Sequence, residues 1–259
     1  MPELPEVETV RRVLEERLKG STITAYELGR PTFYRRPPKA ALAGLVGSTV
    51  EGVRRRGKYL ILLLSGGKSL TLHLGMSGRV CLGGGGAHLR FRLVLGDAVV
   101  CFHDARRFGR VGCKLPRLGC EPLEPEFNGP SLFRALRARR APIKAALMDQ
   151  GIVAGLGNIY ATEALFAAGL RPGRAAGSLS GADCARLAGA IKKVLSSAVA
   201  LGGSTLADEA YRDPLGRAGG FQERTCVYGR TRGRCGHALK ATRRPIAGRT
   251  SLYCPVCQR

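Results

Sequence analysis

Four short aliphatic segments in the first half of the chain restrict its fold most. They read YLILLL, SLTLHLG, LRFRLVL and AVVCFH. Each is as long as one β-strand, and glycine-containing turns such as Ser65-Gly66-Gly67 separate them. Short strands divided by such turns predict a β-sandwich or barrel between about Ser21 and Lys114.

A helix is predicted before these strands, at the start of the chain. Apolar residues recur there at steps of three and four positions, namely Val7, Val10, Leu14 and Leu18. Pro5 and Glu6 suit a first helical turn, so we expect a helix from about Pro5 to Lys19. These preferences leave Pro2 and Glu3 unexplained, because both precede the helix.

The second half of the chain is predicted to be helical. A proline-rich segment at 116–130 separates it from the strands, as is typical of an interdomain linker. Helices are expected at 131–140, 143–150, 158–168 and 180–201. The predicted domains are a β-sandwich at 1–115, the linker at 116–130, a helical domain at 131–224 and a zinc-binding tail at 225–259.

The net charge narrows the choice of partner. The chain has 42 Lys and Arg against 19 Asp and Glu, a formal charge of +23. Such an excess indicates a polyanion, most commonly nucleic acid, with a membrane surface or a ribosomal role as alternatives. No segment approaches roughly 18 uninterrupted apolar residues, and the N-terminus is acidic. We therefore expect no membrane span and no signal peptide, and a cytosolic (cytoplasmic) protein.

Three of the nine cysteines lie near the C-terminus. Cys254 and Cys257 have the two-residue spacing that lets both thiolates reach one tetrahedral zinc, and Cys235 with His237 can supply two more ligands. We therefore predict one structural zinc. The tail from residue 217 contains ten Lys or Arg and one Glu, which favours contact with phosphates, although zinc ribbons also serve as purely structural clips. The other cysteines are expected to be small buried side chains: Cys81, Cys101, Cys113, Cys120, Cys184 and Cys226.

A glycine-rich stretch between two predicted helices is a candidate phosphate site. It reads DQGIVAGLGNIYATEAL from Asp149, and it brings Asn158 and backbone N–H groups to a helix N-terminus. The same residues have a simpler interpretation, in which Gly155 and Gly157 are turn residues and Asn158 is an N-cap.

Together these segments resemble the formamidopyrimidine-DNA glycosylase family. The matching stretches follow in order along almost the whole chain: PELPEVET, RGKYL, HLGMSG, ARRFG, DQGIVAGLGNIYATEAL, VYGR and the cysteine-containing tail. The resemblance implies an α+β fold, with an N-terminal β-sandwich and flanking helices, then a helical domain with a helix-two-turn-helix, then a zinc-bound β-hairpin. It also implies a monomeric DNA-repair enzyme that excises oxidised purines from duplex DNA and cuts the abasic strand by β,δ-elimination.

The resemblance supplies a role for the first residues. Removal of Met1 would free a secondary amine at Pro2, which is less basic than lysine and therefore more often unprotonated near neutral pH. In the family this nitrogen attacks C1′ of the damaged nucleotide, and Glu3 would donate and accept protons as the sugar ring opens. Lys58 matches a lysine that contacts the phosphate and the damaged nucleotide. Glu6 matches an active-site carboxylate, although a helix-dipole role accounts for it almost as well.

Family members also fill the gap that the flipped base leaves. Their wedge residues match Met76, Arg106 and Phe108, and an apolar wedge beside a guanidinium suits this task. By residue type alone, Met76 and Phe108 would be assigned to the core. The positions that match phosphate contacts are His73, His88, Asn158 and Arg249.

The sequence departs from the family pattern in its tail. The family usually has a second C-x-x-C where this chain has Cys235-Gly-His237, with Ala238 at the expected cysteine position. The longer reach of an imidazole could compensate, and Cys226 is the alternative fourth ligand. The segment DEAYRDPLGRAGGFQERT, from Asp208, resembles the family's loop over the flipped base and says little about the substrate.

Two other functions remain open from the sequence. One is an endonuclease VIII-like glycosylase for oxidised pyrimidines, and the other is a damaged-DNA-binding protein without catalysis. The presence of Pro2, Glu3 and Lys58 argues against the second.

Overall fold

The computed structural model describes residues 2–206 and 211–259, which form two compact units. One unit runs to Pro116 and includes Val199–Gln222, and the other comprises Arg117–Ala198 and Glu223–Arg259. The domain boundaries inferred from the sequence stay predictions. The expected removal of Met1, and the first residues of the predicted loop over the flipped base, lie outside the described residues.

The first unit contains two four-stranded antiparallel sheets, as the aliphatic segments predict. Its strands are β1 (Ile23–Leu28), β2 (Val50–Arg56), β3 (Tyr59–Leu64), β4 (Lys68–His73), β5 (Gly78–Leu82), β6 (Leu89–Leu95), β7 (Ala98–Asp104) and β8 (Arg110–Gly112). One sheet has the order β1-β6-β7-β5 and the other the order β2-β3-β4-β8. β8, the last strand before the second unit, is therefore an edge strand.

Both sheets contribute to one hydrophobic core. Along β3, residues Leu60, Leu62 and Leu64 are buried while their neighbours are partly exposed, which is the period-two alternation of a strand. They belong to the same buried cluster as Phe91 and Phe102 of the other sheet. Each such side chain contributes roughly 1.5–3 kcal/mol by leaving water.

Two helices complete the first unit, α1 (Leu4–Leu18) and α2 (Lys39–Leu42). α1 packs against β2, and its apolar face, which includes Val10 and Leu14, joins the core. It begins one residue before the predicted start, because the N–H of Glu3 donates to Glu6 Oε2 at 2.8 Å in a capping box. Gly20, at φ +86°, follows its C-cap.

The second unit is mainly helical and ends in a β-hairpin. It contains α3 (Gly129–Leu136), α4 (Ile143–Met148), α5 (Asn158–Ala167), most of α6 (Gly181–Ala200), β9 (Lys240–Ala241) and β10 (Leu252–Tyr253). α3 ends four residues before the predicted boundary, and Pro142, which disfavours helix before it, follows soon after. α4 ends early because the Asp149 side chain accepts the N–H of Gly151 and starts a turn.

No helix in the two described ranges is both long enough and apolar enough to cross a membrane.

Candidate functional site

The N-terminal residues Pro2, Glu3 and Glu6 are buried together at the start of α1. Glu6 uses both carboxylate oxygens there, since Oε2 accepts from Glu3 N and Oε1 accepts from Ser204 N at 2.7 Å. Glu6 is thus fixed by partners on both sides, and the carboxylate holds the backbone of Glu3 in place.

The segment around Ser204 is shaped to receive this carboxylate. Gly203 has φ +82°, and a Cβ atom there would lie 2.6 Å from Glu6 Oε1. The Tyr211 hydroxyl donates to the Glu6 carbonyl at 3.3 Å, and burial followed by the Glu6 charge raises the pKa of Tyr211, so it remains a donor. Sequence reasoning missed the contacts of these three residues, for which the signals were the Gly202-Gly203 pair and, for Tyr211, the segment that starts at Asp208.

Lys58 lies in the turn that joins β2 to β3 and is 7% exposed, so it is not a solvated surface lysine. The positive charge of Lys58 acts electrostatically on His73, which is on β4. Burial, followed by the charges of Lys58 and Arg110, lowers the pKa of His73 to about 4. The Nδ1 atom of His73 accepts from Gly75 N at 3.1 Å, so Nε2 carries the proton. At neutral pH His73 can therefore offer a phosphate a hydrogen bond but no positive charge.

The three wedge candidates lie on two neighbouring loops. Met76 and Phe108 line one open cavity of 370 Å³, and the Arg106 guanidinium lies 5.1 Å from the centre of the Phe108 ring. Phe108 is 44% exposed, which rules out the assignment of this residue to the core. The loops meet closely, because a Cβ at Gly75 would lie 2.7 Å from Gly109 N.

Asp104, at the end of β7, organises the loop at 105–109, which carries Arg106 and Phe108 and which we term the wedge loop. This carboxylate is fully buried. Oδ1 accepts from Ser77 Oγ at 2.6 Å and from Arg106 N at 3.2 Å, while Oδ2 accepts from Gly109 N at 2.6 Å. Sequence reasoning missed Asp104, although an aspartate immediately before ARRFG at a strand end is a detectable signal. Arg107, inside the loop, has φ +62°, a conformation that costs a non-glycine residue roughly 1–3 kcal/mol.

His88 is exposed beside this loop and also has a left-handed backbone, with φ +67°. Its carbonyl accepts from Asp104 N at 2.9 Å. The buried Arg90 lies next to it and donates to the carbonyls of Asp104 and Pro31, at 2.8 and 2.7 Å. His88 is thus braced against the wedge loop by Arg90, a residue that no sequence pattern singled out.

In the second unit, Asn158 is the first residue of α5, and Gly157 is the N-cap. The Oδ1 atom of Asn158 is buried without a hydrogen-bond partner among the described residues. This oxygen only accepts and would need a donor, so the groups here that could bind a phosphate are the amide Nδ2 of Asn158 and the N–H groups of the helix N-terminus. Further along α5, the buried Glu163 accepts three consecutive N–H groups, from Cys226, Val227 and Tyr228, at 2.6, 2.9 and 2.6 Å.

Four side chains near the C-terminus form a group that could hold a metal ion: Cys235, His237, Cys254 and Cys257. The Sγ atoms of Cys235 and Cys254 are 3.7 Å apart, and His237 Nδ1 lies 3.7 and 3.6 Å from the Sγ atoms of Cys254 and Cys257. Ligands of a tetrahedral zinc, at its usual bond lengths, are separated by about 3.8 Å for two sulfurs and 3.6 Å for sulfur and nitrogen.

The backbone contributes to this geometry together with the imidazole. The nitrogen that faces the sulfurs is Nδ1, the one nearer the backbone, so the group uses only part of the reach of the ring. Gly236, between Cys235 and His237, takes a left-handed conformation with φ +81°. Cys226, the alternative ligand, is outside this four-residue group, and the Cys226 Sγ is 3.8 Å from the Arg224 carbonyl.

Arg249 lies at the tip of the hairpin between β9 and β10. Its backbone exchanges two hydrogen bonds with Ile246, and the two residues between them, Ala247 and Gly248, have φ of +49° and +70°. This is the pattern of a tight hairpin turn. The turn presents Arg249 to solvent.

The structure thus brings Lys58, His73, Met76 and Phe108 to turns and loops at the same end of the strands. Asn158, Arg249 and the four possible metal ligands belong to the second unit.

Comparison with protein families gives two matches. The formamidopyrimidine-DNA glycosylase N-terminal domain matches residues 1–111, and the formamidopyrimidine-DNA glycosylase H2TH domain matches residues 118–210. The formamidopyrimidine-DNA glycosylase of Thermus thermophilus is 46% identical over 271 residues, which cover 100% of this chain and 98% of that protein.

Solved structures give the same similarity. The MutM (Fpg) protein from Thermus thermophilus has a TM-score of 0.89 and 44% identity, and the match covers 99% of this chain and 98% of that chain. The wild-type Lactococcus lactis Fpg (MutM), in complex with DNA that contains N7-benzyl-Fapy-dG, has a TM-score of 0.87 and 34% identity over 100% of both chains.

Proposed function

Because the chain belongs to the formamidopyrimidine-DNA glycosylase family, we propose that it excises oxidised purines, 8-oxoguanine and formamidopyrimidines, from duplex DNA and cuts the strand at the abasic site. The observation that carries this function is the similarity to glycosylases over the full length of the chain. The buried residues Pro2, Glu3 and Lys58 supply the groups that the reaction needs.

Excision requires a nucleophile and a proton donor. Once Met1 is removed, the Pro2 nitrogen forms a bond to C1′ as the bond from C1′ to the base breaks. Glu3 donates a proton to the sugar ring oxygen, the ring opens, and the nitrogen and C1′ become an iminium. Loss of a C2′ proton then expels the 3′ phosphate, and a second elimination expels the 5′ phosphate. The proton that the Pro2 nitrogen loses on attack goes to the departing base, and water finally hydrolyses the remaining iminium, which releases the sugar fragment and the free amine.

The other residues position the substrate in this proposal. Lys58 is buried within the electrostatic reach of His73, and both would contact the phosphate beside the damaged nucleotide. Glu6 acts through Glu3, since its carboxylate accepts from the Glu3 N–H and holds that backbone in place. His88, Asn158 and Arg249 would contact further phosphates.

Cys235, His237, Cys254 and Cys257 would hold one zinc ion, which supplies structural cross-linking and no open position for chemistry. The donor set fits, because three sulfurs and one imidazole nitrogen are donors that zinc prefers and the four atoms lie within 4.8 Å of one another. The hairpin would then present Arg249 to DNA. A monomer in the cytoplasm stays a prediction from the sequence.

The covalent intermediate provides the test of this function. With borohydride present, the parent chain is expected to become linked to duplex DNA that contains 8-oxoguanine, because borohydride reduces the iminium to a stable amine. Denaturing gel electrophoresis measures the linked product, with undamaged duplex as the control. A product formed only with oxidised pyrimidines would favour the endonuclease VIII-like alternative, and binding without any product would indicate a damage-binding protein.

Phe108→Ala is expected to slow excision by roughly tenfold or more, because unstacking a base costs a few kcal/mol that the wedge helps to offset. Single-turnover excision, with 2-aminopurine fluorescence beside the lesion to report unstacking, measures this effect. Phe133→Ala, which also removes a partly exposed phenyl ring, is the matched control. If Phe108→Ala unstacks and cuts DNA as the parent does, Phe108 is not the wedge.

A further inference from the structure

Two neighbouring cavities are lined by loops and strands at one edge of the sheet β2-β3-β4-β8. The wedge residues Met76 and Phe108 line the first, of 370 Å³. The second, of 290 Å³, lies between the 35–38 loop and the strands β3, β4 and β8. Arg35 and Arg110 line both cavities, which are therefore adjacent, and we term the two together the cationic groove.

The charge of the cationic groove has one sign. Its lining includes Arg35, Arg36, Arg107, Arg110 and Lys114, and it includes no Asp or Glu from the described residues. Within residues 2–206 and 211–259, none of these five cations forms an ion pair, whereas Glu8 on α1 pairs with three arginines. Charge of one sign in a concave surface concentrates the field and attracts anions.

The wall of the groove is fastened to the wedge loop. The Tyr34 N–H donates to the Arg107 carbonyl at 3.1 Å, and the Arg107 guanidinium lies 4.4 Å from the centre of the Tyr34 ring. Arg107 Nε also donates to the Thr32 carbonyl at 2.7 Å. The loop that carries Arg35 and Arg36 is therefore held beside Phe108. Because this loop is already ordered, ligand binding costs little of its conformational entropy.

The position of the groove indicates which DNA strand it faces. Lys58, the candidate contact to the damaged nucleotide, lies in the β2–β3 turn, on one side of the sheet. The wedge loop leads into β8, the edge strand on the other side, and the groove continues along β8 to Lys114. The base opposite the lesion loses its partner at the wedge, so the strand that carries this base is the one nearest the groove.

We propose that the cationic groove binds backbone phosphates of the undamaged strand, next to the base that loses its partner. The inference rests on the proposed function, because it requires a duplex with a flipped nucleotide. Arg35 and Arg36 on the loop, with Arg110 and Lys114 on and after the edge strand, would contact these phosphates from two sides of the groove.

The test measures the binding of a duplex with a tetrahydrofuran abasic analogue as a function of salt. Removing two phosphate contacts should make the slope of log affinity against log salt less steep by about two. We expect this for Arg35→Gln/Arg36→Gln, with affinity about tenfold weaker at low salt. Arg17→Gln/Lys19→Gln, two exposed residues near the end of α1, removes the same charge elsewhere and should leave the slope unchanged.

Neutral methylphosphonate linkages identify the strand. Placed in the undamaged strand beside the orphaned base, they should weaken binding by the parent about tenfold and have little effect on binding by Arg35→Gln/Arg36→Gln. The proposal is overturned if the methylphosphonates weaken DNA binding by the parent and by the double variant equally. It is also overturned if the two proteins respond differently only when the methylphosphonates are in the damaged strand. Circular dichroism of the variant establishes that it is folded. Cutting of 8-oxoguanine duplex by the parent tests the proposed function separately. Failure of the groove proposal can therefore be distinguished from failure of the proposed function.

Discussion

Pro2→Gly is expected to lower the rate of base excision by roughly a hundredfold or more while leaving affinity for a tetrahydrofuran duplex nearly unchanged. A primary glycine amine gives an imine that is cationic only while its nitrogen stays protonated, whereas the secondary proline nitrogen gives an iminium that has no N–H proton to lose. Glycine also removes the ring that fixes the nitrogen beside Glu3. Single-turnover excision of 8-oxoguanine and equilibrium binding measure the two quantities, and borohydride linkage reports the covalent step.

Glu3→Gln is the companion variant. It keeps the size and the backbone N–H that donates to Glu6, but it cannot transfer a proton, so a loss of roughly 10²–10⁴ in rate would place the carboxylate in the reaction. Mass spectrometry of the parent chain should show that Met1 is absent. Full excision by a protein that retains Met1, or by Pro2→Gly, would contradict the assignment of Pro2 as the nucleophile.

The strands and helices were predictable because their signals are local. Leu60, Leu62 and Leu64 alternate within six residues, and the buried residues of α1 recur at helical spacing, so neighbouring positions alone identify these elements. Element ends were less predictable. α4 stops at Met148 because of a side-chain turn at Asp149, a contact that hydrophobic periodicity does not report.

The supporting residues of the candidate site were not predictable in the same way, because they act between distant positions. Glu6 accepts from Ser204, 198 residues away in sequence, and nothing near either residue indicates the other. Glu163 holds three N–H groups more than 60 residues further along the chain. By its sequence context Arg90 is one charged residue in a strand, yet it links His88 to the wedge loop through Asp104.

In the tail, residue types and spacing were sufficient to predict the four possible metal ligands, but they did not predict the backbone geometry that brings these ligands together. Spacing identified the four possible metal ligands, and the structure groups the same four. The expected compensation by a longer side chain stays a prediction, and the structure adds two features that spacing did not indicate: Nδ1 faces the sulfurs, and Gly236 supplies the turn. A left-handed backbone is available to glycine at little cost, so one residue between Cys235 and His237 can replace the usual two.

His237→Ala is expected to reduce bound zinc from about one per chain to below about a tenth, because three thiolates leave the fourth tetrahedral position empty. DNA affinity should fall with it, since the zinc holds the hairpin that carries Arg249. Metal analysis after extensive dialysis, together with binding to a tetrahydrofuran duplex, measures both.

Two further variants separate a ligand from a residue that only touches DNA. His237→Cys replaces the imidazole with a thiolate and should retain most of the zinc, because four cysteines are an equally good tetrahedral donor set. Cys226→Ser should change neither zinc content nor affinity, because Cys226 is outside the four-residue group. If His237→Ala keeps about one tightly held zinc and Cys226→Ser loses it, then Cys226 is the fourth ligand and the turn at Gly236 serves another purpose.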